Sequence, residues 1–152
     1  MPVIPTACWM LLVTKLLLAN NVKPLLKYYW PAILWALFIF TLCTIHLGTI
    51  TESPLFFPGF DKLVHCGFFF VLVVFYCNGH IRQHKLRFLT YKAIILIVVI
   101  AALYGYSIEL LQKYVFTWRD FEWDDLFADS VGACMGMFSV LVTAAALKHD
   151  KK

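Results

Sequence analysis

The sequence predicts an all-α polytopic membrane protein: four transmembrane helices in a bundle, with a short N-terminal interfacial helix. Three observations predict it. Of the 152 residues, 62% are hydrophobic and only 14% are charged, against about 45–50% and about 25% in a soluble domain. A chain this short cannot hide that excess in a core, because small domains leave much of their surface exposed. Four apolar stretches each reach the roughly 20 residues a spanning helix needs. Lysine and arginine also collect in alternate connections, the pattern of membrane topology rather than of nucleic-acid binding.

The first apolar segment, Ala7 to Ala19, is short and interrupted by Lys15. It reads as an interfacial helix within an N-terminal extension over residues 1–27. A cleavable signal peptide fits less well, because the basic residue lies inside the stretch and no small-x-small site follows. The spans then run Trp30 to Ile50, Phe60 to Asn78, Ala93 to Gln112 and Leu126 to Leu147. They define a membrane domain over 28–147 and a tail over 148–152. Trp30, Trp118 and Trp123 mark span ends, as interfacial anchors do.

Orientation follows from the basic residues. Lys15, Lys23 and Lys27 flank the first span; Arg82, Lys85, Arg87 and Lys92 fill the middle loop; Lys148, Lys151 and Lys152 end the chain. The other two loops hold most of the acidic residues. The positive-inside rule therefore predicts a cell-membrane protein with both termini in the cytoplasm, a parity that needs an even number of spans. The five cysteines lie in apolar runs without a CxxC pair and read as small buried side chains rather than disulfides or a thiolate site.

The polar residues within the spans carry the functional reading. A charge at the centre of a spanning helix costs roughly 2.5–3.5 kcal/mol on insertion scales, so several at one depth have a reason to be there. Asp61 and His65 share a face of span two at i, i+4; Glu109 and Gln112 share one of span three at i, i+3; Asp125 and Asp129 share one of span four at i, i+4. At about 1.5 Å per residue, His65, Glu109 and Asp129 each lie about one turn inside the outer boundary. Gly132 and Gly136 extend the Asp125/Asp129 stripe, and Gly-x-x-x-Gly lets another helix approach closely, within the bundle or in a homodimer. The carboxylates should thus face inward.

These stretches resemble the VanZ-like family. The resemblance rests on Asp61-Lys62-x-x-His65-x-x-Phe68, and on a second block of Glu109, Gln112, Arg119, Asp125, Asp129, Gly132 and Gly136. The chain departs from the family pattern at Asp129, commonly asparagine, and at Phe68, often tyrosine. An added carboxylate beside Asp125 implies a shared proton or a bound cation. The resemblance implies a multi-pass membrane protein, linked in one member to low-level glycopeptide resistance. It implies no reaction.

Bland and sharp readings stand side by side. Asp61 and Lys62 cap span two or contact a ligand. His65 is a structural hydrogen-bonding histidine, a proton carrier or a metal ligand. Glu109 pairs with Arg119 or His65, or works as an acid/base, with Gln112 orienting it. Arg119 pairs with carboxylates or presents a phosphate-binding fork. Asp125 is an N-cap of span four or a catalytic carboxylate; Asp120, Glu122 and Asp124 read as a solvated loop, and His46 as interfacial. Ser107 bonds its own helix, because no GxSxG elbow surrounds it.

With no P-loop, HExxH, GxGxxG or internal repeat, no cofactor is expected. The leading expectation is a pocket open to the outside that recognises an amphiphilic envelope ligand among the membrane lipids: a lipid-linked precursor, a phospholipid or a lipoglycopeptide. Lys62 and Arg119 would meet an anionic headgroup, with Asp61, Gln112 and Asp129 also lining the site. The alternatives are an intramembrane enzyme using His65, Glu109 and Asp125, with a divalent cation between carboxylates as one form of it, and a proton-coupled transporter or scaffold.

Overall fold

In the computed structural model the backbone is described for residues 6–45, 59–86, 88–115 and 121–149, and side chains from residue 22 through 147 of these. The chain forms four helices, α1 (Thr6–Thr44), α2 (Phe60–His84), α3 (Tyr91–Tyr114) and α4 (Trp123–His149), and no strand among the described residues. Each contains a segment long and apolar enough to cross a membrane: Val22–Thr44, Phe60–His84, Tyr91–Tyr114 and Trp123–Leu147.

The first span differs most from the sequence expectation. Among the described residues its apolar segment already takes in Val22–Thr44, and α1 continues without a break from the N-terminal segment. Lys23 and Lys27 read as loop residues, yet long basic side chains can lay their stems along apolar surface while the helix continues. Pro24 and Pro31 both lie inside α1, a placement that membrane helices tolerate. Trp30 consequently falls within the span. At about 1.5 Å per residue the 39-residue α1 is roughly 58 Å long, about twice the hydrocarbon thickness, so part of it extends beyond the hydrocarbon.

Local signals set the other boundaries. Gly59 enters α2 with φ 86°, a left-handed conformation that glycine adopts without strain. Thr90 caps α3, its hydroxyl oxygen accepting from the Ala93 N–H at 3.3 Å.

The helices alternate in direction, so α2 and α4 run parallel, and these two form the main seam of the bundle. Gly132 and Gly136 make it. A methyl group at Gly132 would collide with the Cys66 carbonyl, and one at Gly136 would lie 2.5 Å from the Phe70 carbonyl oxygen. The small-residue stripe is therefore covered by α2 of the same chain. α1 packs on α2, α3 packs on α4, and α1 and α4 do not meet among the described residues. Trp35 Nε1 donates to the Phe68 carbonyl at 2.9 Å, and Tyr104 Oη to the Ala36 carbonyl at 2.6 Å, tying α1 to α2 and α3.

Ile39, Phe69, Val73, Cys77 and Ala133 form the apolar core, whereas Leu34, Leu37, Leu103, Phe127 and Phe138 are each more than half exposed. A bilayer solvates those outer side chains, so the usual inside-out sorting of a soluble domain does not apply.

Candidate functional site: a buried polar cluster at one end of the bundle

Parallel α2 and α4 begin side by side where α3 ends. Their N-terminal turns bring positive dipole ends and N–H groups with no intrahelical acceptor to one place, a setting that favours carboxylates. Five ionisable or amide side chains are buried there: His65 (5% exposed), Glu109 (1%), Gln112 (0%), Asp125 (0%) and Asp129 (2%). Unpaired, each would carry a desolvation penalty of several kcal/mol. Their partners explain how they are accommodated.

Asp125 is the hub. Its Oδ1 accepts from Lys62 Nζ at 3.3 Å, and its Oδ2 lies 3.7 Å from His65 Nε2. Lys62 Nζ also meets Asp61 Oδ2 at 3.3 Å and Glu122 Oε2 at 3.1 Å, so one ammonium serves three carboxylates. The other edge of the imidazole faces Asp129, with Nδ1 and Oδ1 3.0 Å apart. With Asp129 ionised, and so only an acceptor, Nδ1 carries the proton; Nε2 points toward Asp125. Glu109 reaches the same place from α3: its Oε2 accepts the Glu122 N–H at 3.0 Å, and His65, Glu109 and Asp125 place one ligating atom each within 4.8 Å of one another.

Asp61, Lys62, His65, Glu109, Asp125 and Asp129 thus come together. Gln112 is buried beside them but turns to α1, donating to the Cys43 carbonyl at 2.8 Å. It ties α3 to α1 and does not orient Glu109. Asp125 does not cap α4: the helix begins at Trp123, and the side chain points into the bundle. Ser107 donates to the Tyr104 carbonyl of its own helix at 2.7 Å. Arg119, Asp120, Trp118 and His46 lie outside the described residues.

Two residues of the cluster are not apparent from the sequence. Glu122 reads as a solvated loop residue, yet it holds Lys62 with its carboxylate and Glu109 with its N–H. Its spacing from Asp125, one helical turn, was the available signal. Gly105 provides the space Asp129 occupies, since a methyl group there would lie 2.5 Å from Asp129 Oδ2. No local pattern marks it.

Four apolar helices enclosing a shared polar cluster at one end define a multi-pass membrane protein with a buried site. The family can also be named: a model of the VanZ/LLP1 family matches residues 7–144, and the chain belongs to that family. The match takes in most of the stretch before residue 28 that the sequence sets apart as an extension. No curated protein and no solved structure matches the chain.

Proposed function

We propose that this VanZ-family membrane protein recognises an amphiphilic envelope ligand at the polar end of the bundle: a lipid-linked precursor, a phospholipid or a lipoglycopeptide. The supporting observation is that α2, α3 and α4 all contribute buried ionisable side chains to one location at a helix end, where a headgroup would lie. Intramembrane ionisable groups that face a bundle interior are rare and usually functional. Lys62 is already bound by three carboxylates. An anionic headgroup would have to displace them or rely on Arg119, whereas a ligand bringing positive charge would find carboxylates in place.

The polar end faces away from the cytoplasm in this reading, with both termini cytoplasmic in the inner membrane, and the family link makes glycopeptide tolerance the phenotype to examine. Native mass spectrometry and thermal shift with envelope lipids test the reading. Selective binding that is lost in Glu109→Gln and Arg119→Ala is expected; binding indifferent to both variants, or none, refutes it. Labelling of a cysteine placed in the 51–59 loop should come only from outside the cell.

The buried His65–Asp129 pair supports a second reading, an intramembrane acid–base enzyme. A carboxylate on Nδ1 orients an imidazole and raises its basicity at Nε2. Turnover of an envelope lipid by purified protein, abolished in His65→Gln, would distinguish this from binding alone.

A further inference from the structure

We propose that His65, Glu109 and Asp125 bind a divalent transition ion of the zinc class. The three residues come from α2, α3 and α4, all are buried, and one ligating atom from each lies within 4.8 Å of the others. Bonds of about 2.0–2.2 Å place two zinc ligands about 3.4 Å apart at a tetrahedral angle. The 3.7 Å between His65 Nε2 and Asp125 Oδ2 is close to that edge and too long for a good N–H···O bond.

A second observation points the same way. Metal-bound histidines almost always donate their other ring N–H to a carboxylate or carbonyl, which fixes the tautomer and raises ligand basicity. The Asp129 carboxylate is in that position, 3.0 Å from Nδ1 and outside the ligating group. Asp129 is therefore a positioning residue, and Gly105 leaves it the room to act as one.

A third comes from the neighbouring group that shares Asp125. Asp61, Glu122 and Asp125 also converge, and there the Lys62 ammonium lies 3.1–3.3 Å from each carboxylate. This part of the fold already gathers a cation by the same geometry. One imidazole with two carboxylates selects a borderline transition ion over magnesium or calcium, which prefer oxygen alone. Three protein ligands leave a coordination position open.

The test uses the full chain in lipid nanodiscs with no envelope ligand added, so failure of metal binding and failure of ligand recognition are read separately. Chelator-stripped protein is equilibrated with zinc, manganese or magnesium and its metal content measured. Zinc should load stoichiometrically and magnesium should not. Zinc-edge X-ray absorption of the wild type should show an imidazole with oxygen neighbours and no sulfur. His65→Ala and Glu109→Gln should lose the ion, and Asp129→Leu should weaken binding about 10–100-fold, while Asp129→Asn, which still accepts from Nδ1–H, stays close to wild type. Removing His80 and His84 at the other end should change nothing. A wild type that stays metal-free, zinc bound through sulfur, or loading that depends on His80 and His84 would overturn the proposal. So would a wild type that stays empty while Arg119→Ala takes up zinc, since the cation at the site would then be that guanidinium.

Discussion

The two ends of this bundle solve the same problem differently. At one end α2 and α4 begin together, and Lys62, His65, Glu109, Asp125 and Asp129 neutralise or orient one another in the interior. At the other, α1 and α2 close over Gly79, where a methyl group would lie 2.7 Å from the Tyr28 carbonyl oxygen. Tyr29 and His80 share a hydrogen bond of 3.1 Å, the Tyr29 and Tyr76 rings meet at a tilt with centroids 4.9 Å apart, and an apolar groove of about 250 Å³ runs between α1, α2 and α3. Both ends use a glycine for close approach and a histidine for a polar contact. Only one collects carboxylates. Packing in the bilayer needs small residues and a few interhelical hydrogen bonds, which the second end has. A buried cluster of titratable groups goes beyond what packing needs, and that excess is the case for function at the first end.

The comparison can be broken at the seam. Gly132→Leu drives a side chain into the α2 backbone at Cys66, and overpacking of about 3 kcal/mol or more is expected. Melting in detergent should show the largest loss of any single variant in the set, and a wild-type melt would mean that α2 and α4 do not meet as described. Asp125→Ala removes the hub of the polar end. It withdraws one of three partners from Lys62 and the carboxylate facing His65, for a loss of about 1–3 kcal/mol as polar groups are left short of partners. Asp125→Asn should lose less, because its carbonyl oxygen still accepts from Lys62.

Smaller effects sharpen the contrast. Gln112→Leu deletes the bond to the Cys43 carbonyl, and about 0.6–1 kcal/mol is expected, the range of interhelical hydrogen bonds in membranes. Tyr29→Phe at the opposite end removes only a hydroxyl that meets His80, and the loss should be no more than about 0.6 kcal/mol. Ligand or metal binding should change in the Asp125 variants and not in Tyr29→Phe. Equal effects at both ends would remove the reason to treat the polar end as special.

Much of the site is legible in the sequence because helical spacing is rigid. Asp61/His65, Glu109/Gln112 and Asp125/Asp129 fall on single faces at similar depth whatever their neighbours do. The same regularity exposes the Gly132/Gly136 stripe. Glu122 was not legible, because its importance depends on where the Lys62 ammonium and the Glu109 carboxylate end up, and both come from other helices. The converse holds for Gln112: a shared face predicts that it meets Glu109, but its amide reaches the Cys43 carbonyl of α1 instead. The sequence starts the first span at Trp30, whereas the apolar segment of α1 already includes Val22, because lysines near a membrane end read equally as loop or as helix.

The sequence by itself determined the class of protein, the four spans and the faces that carry charge, since these follow from hydropathy and the 3.6-residue period alone. It also fixed the alternation of helix direction, which short connections impose. Tertiary structure decided which faces meet. The parallel seating of α2 on α4 at Gly132 and Gly136 sets His65 between Asp125 and Asp129, and it places Lys62 among three carboxylates. Those pairings depend on backbone approach distances and on the loss of bulk solvent around charge, quantities that no single segment carries and only the assembled bundle defines.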